Sequence, residues 1–308
     1  MSHYPLVSVL MPVYNNARFL QKAVDSILSQ TFTDFEFIIL DDGSNDESLK
    51  ILKHCAAEDQ RIRLLSRENR GLIKSLNELL KHAQGELIAR MDGDDVSLPD
   101  RFNRQIEFLH HHPKVVCVGG GYEQIDDQGR IMRYRVPPTT NAEIQEQALR
   151  GQTPINHPSM MARRSAMMQV GGYDEAYPSA EILDLLLKLG EVGELANLED
   201  VVIKYRWHRQ SISDSKQQEQ ISSKRKACKA AWERRGIQGQ FYESPEPWRP
   251  IDRPSRCRFM VKYGEQFLQN RQYGDAFAYS LGAIKAAPWA KVGWKLLLHV
   301  VIKFIVRQ

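Results

Sequence analysis

The strongest constraint on the fold is an alternation, from Leu6 to Val118, of short apolar runs with helically spaced segments. Leu6 to Val13 is almost wholly apolar and predicts a buried strand, ended by the turn-formers Asn15 and Asn16. Phe19, Leu20, Ala23, Val24, Ile27 and Leu28 then follow helical spacing. Further strands are predicted over Phe35 to Leu40, Ile62 to Leu65, Glu86 to Met91 and Val115 to Val118. Helices are predicted over Glu47 to Ala57 and Leu72 to Ala83, and from Pro99, as first helical residue, to about His110. Such alternation implies parallel βαβ units in a doubly wound α/β sheet with helices on both faces. After Arg130 the pattern loosens. Strands are predicted over Arg130 to Val136, Pro158 to Ala162 and Val201 to Tyr205, and helices over Ala142 to Leu149 and Ile182 to Leu189. Gly171 to Asp174 reads as a turn and Ser211 to Gln220 as a polar linker.

Composition narrows the class. A chain of 308 residues that is 42% hydrophobic and 26% charged is neither disordered nor polytopic in a membrane. Cys55, Cys117, Cys228 and Cys257 form no C-x-x-C pair, which argues against a zinc ribbon or a disulfide framework and for a reducing compartment. Met1 to Pro5 shows no signal-peptide pattern, so a cytoplasmic location is expected. Charge is uneven: Ile221 to Gln308 carries 17 Lys+Arg against 6 Asp+Glu, a balance of +11. The whole chain is +4, so residues 1–220 carry −7. An acidic front is poor at tracking nucleic acid, so no nucleic-acid partner is expected. The basic back suits an anionic surface, or else a solvated lysine-rich helix pair.

Three polar clusters follow predicted strands: Tyr14 and Asn15, Asp41 to Ser44, and Asp92 to Asp95. Doubly wound sheets bind ligands beyond the carboxyl ends of their strands. The dinucleotide fingerprint is absent, because Gln124 stands where the run Gly119, Gly120, Gly121 would need its last glycine. Asp92 and Asp94, one residue apart on an irregular turn, suit Mg²⁺ or Mn²⁺ together with a diphosphate. The competing reading is a turn whose aspartates cap the next helix.

Val7 to Asn15 (VSVLMPVYN), Ser26 to Glu36, Leu40 to Asp46 (LDDGSND) and Ala83 to Asp95 (AQGELIARMDGDD) resemble, in order, the family 2 inverting glycosyltransferases of GT-A fold. Leu98 to Phe102, His157 to Met161, Gly171 to Glu175, and Lys204 to His208 with Ser211 to Ser213 extend the resemblance over about residues 5–215. It implies a GT-A-like, Rossmann-like nucleotide-binding sheet over 1–215, with a donor half to about 120 and an acceptor half beyond it. An α-helical extension would occupy 216–308. Pro12, Tyr14 and Asp42 match positions that hold the base and ribose, with Asp41 beside them. Asp92 and Asp94 match the metal-binding pair, and His208 resembles a late-loop histidine that reaches the metal or diphosphate. Arg70 and Lys74 lie in a segment near the donor, where they could neutralise phosphate. The activity implied is transfer of a sugar from a nucleotide-sugar to a glycan or lipid-linked acceptor, in bacterial surface-polysaccharide synthesis.

One position departs from the family. The general base is usually the Asp of a Glu-Asp pair, but the segment here is Ala180, Glu181, Ile182, Leu183, Asp184, and Ile182 cannot accept a proton. The expected aromatic is replaced by Leu186. Glu181 could serve from one position earlier, Asp184 could take the role in a shifted register, or catalysis could be impaired and the chain serve as a nucleotide-sugar-binding scaffold. Adjacent helix residues point about 100° apart, so a replacement at 181 is not free. A nucleotidyltransferase is a weaker reading, since Tyr14 to Arg18 makes a poor phosphate loop.

In the basic tail, Lys224 to Arg235 reads as a helix, Phe241 to Pro254 as an extended connection, and Arg256 to Ala287 as two helices. Lys291, Lys295, His299, Lys303 and Arg307 recur every four residues among apolar neighbours. The charges leave the apolar run short of the ~20 residues that a span needs. The segment reads as a helix lying in an anionic leaflet, peripheral at the inner membrane face, or as a terminal helix docked on the catalytic domain.

Overall fold

The computed structural model describes residues 4–207, 217–242 and 252–305. The contacts divide them into two units, one of 4–123, 134–206 and 217–242, the other of 124–133, 207 and 252–305. The first helix of the basic tail packs within the sheet unit.

The first unit opens with β1 (Val7–Val13), α1 (Ala17–Leu28), β2 (Phe35–Asp41), α2 (Ser48–Glu58), β3 (Ile62–Ser66), α3 (Leu72–His82) and β4 (Leu87–Arg90). β5 (Val96–Ser97), α4 (Arg101–His111), β6 (Val115–Ile125), β7 (Ile131–Arg135), α5 (Asn141–Leu149), β8 (Met161–Arg163) and α6 (Arg164–Gln169) follow. α7 (Glu181–Val192), β9 (Glu194–Arg206) and α8 (Gln217–Arg235) complete the series. The strands form one sheet in the order β3-β2-β1-β4-β8-β6-β9-β5, with β7 paired to β6.

The parallel sheet expected from the alternation holds for β3, β2, β1 and β4 and ends there. β8 pairs antiparallel with both β4 and β6, and β5 pairs antiparallel with β9. The helix α4 carries the chain from β4 to β6 but leaves a gap one strand wide, which β8 fills in the opposite direction. At three and two residues, β8 and β5 are too short to show a period. Pro99 does not start a helix: Arg101 does, with Asp100 as cap.

Period-two alternation sorts the side chains into two cores. Val7, Val9, Met11 and Val13 of β1, with Leu87 and Ala89 of β4, join the cluster under α1. Leu10 and Ile88 point the other way, into a cluster with Leu76 and Leu79 of α3 and Leu185, Leu186 and Leu189 of α7. Arg90 shares the parity of Ile88 and so turns its charge toward the α7 face. Pro12 is tolerated in a central strand because its missing N–H would face β4 two residues past the Leu10 to Arg90 pairing, where β4 has ended.

Arg101 knits the layers together. It is wholly buried, donating from Nη2 to the carbonyls of Arg90 (2.9 Å) and Met160 (3.1 Å) and from Nε to Gln105 (3.0 Å). Burial, and then the charge of Arg90, holds its pKa down to about 9. Gln105 passes the network on to the Ser159 carbonyl at 2.7 Å.

The second unit is a helical bundle of α9 (Arg253–Gln269), α10 (Tyr273–Ala286) and α11 (Lys291–Ile305), opened by a capping box between Asp252 and Ser255. Tyr263, Phe267, Tyr279, Leu296 and Val300 form its core around Met132. α11 therefore docks on α9 and α10 through one narrow stripe, Gly293, Leu296 and Val300. Trp289, Trp294, Leu298, Ile302, Phe304 and Ile305 stay exposed, beside the equally exposed Lys291, Lys295, His299 and Lys303. Among the described residues no helix is long and apolar enough to cross a membrane.

Replacing Arg101 by Met should strand its buried carbonyl partners. A loss of about 3 kcal/mol in unfolding free energy is expected in urea titration, with the same denaturant slope.

Candidate active site

In the order β3-β2-β1-β4 the chain turns from one side of β1 to the other, and the crevice of such a sheet lies beyond β1 and its neighbours. The three polar clusters all fall there. Asn15 enters the left-handed region at φ 53°, with its N–H bonded to Ser44 Oγ (3.0 Å) and its Oδ1 accepting from the Asn45 N–H (2.9 Å). The loops after β1 and β2 are thus laced together, leaving the Tyr14 ring half exposed.

Asp41 and Asp42 are almost wholly buried and build this wall. Asp41 accepts from Ser44 N–H (3.3 Å) and Ser66 Oγ (3.2 Å). Asp42 accepts from the backbone N–H groups of Arg70 (2.8 Å) and Gly71 (2.9 Å) and pairs with the Arg67 guanidinium. Arg67 also donates to Glu78 (2.7 Å) and Ser75 (3.0 Å). The sequence reading missed Arg67, since nothing local distinguishes it from a solvated arginine. Gly71, at φ 90°, supplies a conformation that side chains resist. The arrangement leaves the Arg70 side chain exposed, while Lys74 makes a surface pair with Glu175 (3.7 Å).

Beyond β4, Asp92, Asp94 and Asp95 bring carboxylate oxygens within 4.8 Å of one another. Asp95 is buried and accepts from the Arg206 N–H at 2.6 Å through Oδ1; its Oδ2 is buried without a hydrogen-bond partner. The Arg206 guanidinium donates to the Asp94 carbonyl (2.7 Å) and lies 4.5 Å over the Phe19 ring. Burial first, then Asp94 and Asp92, pushes the Asp95 carboxyl well above the usual carboxylate range. Asp92 is raised by burial, against the pull of Arg90. Arg90, itself buried, is ion-paired to Asp92. Burial opposes the charge on Arg90, but Asp92 outweighs it and holds the guanidinium above its ordinary value. The sequence signal for Arg90 was available: a cation inside an otherwise apolar strand.

The residues at the start of α7 separate cleanly. Glu181 is the first residue of α7, buried, and raised above the ordinary glutamate range chiefly by that burial. Its charged neighbours are Arg90, Asp92 and Lys224. Ile182 packs into the apolar cluster with Leu185 and Leu186. Asp184 is wholly buried in an ion pair with Lys188 (2.7 Å), which also binds Asp174 (3.1 Å). Glu181 thus feels the charges of Arg90 and Asp92, whereas Asp184 is held by Lys188. His157 was quoted only as part of a motif; its Nε2 bonds the Tyr173 hydroxyl at 2.9 Å, and burial holds its pKa well below the usual value. His208 lies outside the described residues.

Asp42→Ala should free the 67–71 loop without unfolding the sheet. Amide hydrogen exchange at Arg70 and Gly71 is expected to accelerate at least tenfold, corresponding to about 1.4 kcal/mol per decade.

The comparisons with known proteins agree with this fold. The model of the glycosyl transferase family 2 matches residues 8–171. A putative glycosyltransferase, EpsE of Bacillus subtilis (strain 168), is 37% identical over 212 residues, covering 67% of this chain and 74% of that protein. Four other relatives are longer, and the chain spans only 37% to 39% of their lengths. Among solved structures, the mannosyltransferase PcManGT from Pyrobaculum calidifontis, in complex with GDP-Man and Mn²⁺, superposes with a TM-score of 0.58 at 18% identity. That match covers 98% of this chain and 81% of the other. TarS of S. aureus, in complex with UDP-GlcNAc, gives 0.56 at 16% identity, covering 91% of this chain and 72% of that one. These structural likenesses carry the fold, which is GT-A-like with added C-terminal helices. With the family model spanning more than half of its 308 residues, the chain belongs to glycosyl transferase family 2.

Proposed function

We propose that the chain is an inverting glycosyltransferase that moves a sugar from a nucleotide-sugar to a glycan or lipid-linked glycan, with a divalent cation at Asp92 and Asp94. The observation that carries this reading is the convergence of three carboxylates at the carboxyl end of β4. Such a cluster is electrostatically unfavourable alone, and its hard oxygens and one unpartnered buried oxygen fit Mg²⁺ or Mn²⁺. When bound, the cation stabilises charge developing on the leaving diphosphate as a Lewis acid. PcManGT, solved with GDP-Man and Mn²⁺, supports the same cofactor class here. In this reading His208 serves as a further ligand.

The chain's own residues supply the rest. Arg90 orients Asp92, and Arg206 pins the loop that carries Asp94 and Asp95. Tyr14 and Pro12, on the wall built by Asp41 and Asp42, face the base and ribose. Arg70, with Lys74 behind it, meets the phosphates. Glu181 accepts the proton of the attacking hydroxyl, from a buried position that raises its pKa above the ordinary glutamate range. Ile182 favours a second reading, a non-catalytic nucleotide-sugar binder in a glycan assembly complex. The exposed Trp289, Trp294, Ile302 and Phe304, bordered by lysines, suit a peripheral seat on an anionic membrane.

NDP release, screened with UDP-GlcNAc and GDP-mannose, should require Mn²⁺ or Mg²⁺ and stop in EDTA. Asp94→Asn should lower kcat by roughly 10²–10³-fold, several kcal/mol of charge stabilisation. Turnover that persists in EDTA overturns the metal role; a protein that releases NDP only as Ile182→Asp supports the scaffold.

Stability gives a second check. An acid whose pKa is raised by folding binds more protons folded than unfolded, so its contribution is present at low pH and lost as pH climbs past the ordinary value near 3.8. Mn²⁺ should therefore raise Tm at pH 7, with a gain that shrinks toward pH 4 and is absent in Asp94→Asn.

For the tail, Leu298→Ser with Ile302→Ser should release the chain from phosphatidylglycerol vesicles in flotation while leaving the bundle's helicity unchanged.

A further inference from the structure

The parallel strands have a second edge, at their amino ends, opposite the acidic cluster. A cavity of about 510 Å³ opens there, with Arg63, Lys81, His82 and Arg164 on its lining. Among the described residues no acidic side chain lines it. Arg164 directly follows Arg163, which pairs with Leu87 at the start of β4, five residues or about 16 Å of extended chain before Asp92.

The walls are firmly built. α3 ends at His82, and the turn after it is pinned on β1 and β2. The Gln84 N–H donates to Glu36 (2.7 Å) and the Gly85 N–H to Ser8 Oγ (2.8 Å). A Cβ at Gly85 would lie 2.6 Å from the Ser8 nitrogen, so the close approach needs glycine. Arg63 of β3 donates to Glu36 at 2.7 Å and to the His82 carbonyl at 3.2 Å. Arg164, the first residue of α6, is held by its N–H to the Glu86 carbonyl at 2.8 Å.

Glu36 answers the charge of Arg63. Lys81 and Arg164 have no ion pair among the described residues, and the Arg164 Nε is buried without a hydrogen-bond partner. Buried donors are rarely left so. The carbonyls that end α3 explain cations at Lys81 and His82. They do not explain why two arginines from other elements gather at the same opening.

We propose that this cavity is a binding site for a phosphate ester, separate from the transfer site, with the Arg164 guanidinium and the Lys81 ammonium on the phosphoryl oxygens. Guanidinium groups pair strongly with phosphate, and a phosphoryl group of nearly two negative charges matches two uncompensated cations. The volume falls within the roughly 300–1,000 Å³ of ligand pockets, more than bare phosphate fills. The organic part of the ester takes the remaining space, beside the exposed Tyr4 ring. A lipid headgroup and a soluble sugar or glycerol phosphate share this chemistry. The proposal needs neither the metal nor the assignment of a base.

The test uses the full chain in EDTA without nucleotide. Glycerol 3-phosphate and dihexanoyl phosphatidic acid are each titrated while amide ¹H–¹⁵N shifts are followed. The shifts should centre on Ala83, Gln84 and Arg164 and spare Gly93 to Asp95. Lys81→Gln and Arg164→Gln should each weaken binding about tenfold, while Lys81→Arg stays within about twofold of wild type. Lys81 is exposed, so Tm should be the same in both of its variants. Tighter binding of the lipid assigns the site to a headgroup, and equal or tighter binding of glycerol 3-phosphate to a soluble ester. Shifts confined to the Asp92 to Asp95 loop, binding undiminished in Lys81→Gln and Arg164→Gln, or no saturable binding of either ester overturns the proposal.

Discussion

Mutual repulsion among carboxylates at the end of β4 is the constraint that the surrounding structure answers. Asp92, Asp94 and Asp95 stand too close for all three to ionise comfortably without a counter-charge. The fold holds them from behind. Arg90 reaches Asp92 from inside the strand, Arg206 clamps the loop through its backbone and side chain, and Arg101 bonds both the carbonyl of Arg90, the last residue of β4, and that of Met160. Three buried guanidinium groups around one strand end are a costly arrangement for a core, and a stability argument alone would not produce it. What they secure is geometry: three close carboxylates held in one arrangement.

The chain's reading as an α/β sheet was legible because the first four strands are long enough to be apolar throughout and their helices are strongly periodic. The placing of polar clusters after β1, β2 and β4 followed from topology. Other features were hidden for identifiable reasons. β8 and β5 are set by pairing, and two or three residues carry no period. α8 looked like part of a basic tail because its composition is polar, whereas its small residues Ala227, Cys228 and Ala231 let it pack closely on α7. Asp41 and Asp42 stood out as a polar cluster, but their task of bracing the 66–71 loop depends on backbone amides, which have no letter in a sequence.

Around residue 182 the chain shows how an altered helix start can be accommodated. Ile182, partly buried, packs against the apolar cluster that holds Leu185 and Leu186. Glu181 and Asp184 then divide by neighbourhood: one faces Arg90 and Asp92, the other Lys188 and Asp174. Sequence spacing could keep both residues in play; burial and ion pairing distinguish them.

The knot between Asp42, Arg67 and the amides of residues 70 and 71 has a bearing on how such a protein could diversify. Both acidic side chains of that wall act as girders, so drift at either would collapse the lip of the crevice before it altered what enters. Sequence change has freer ground at Tyr14 and Arg70, whose exposed side chains make no hydrogen bond or ion pair among the described residues.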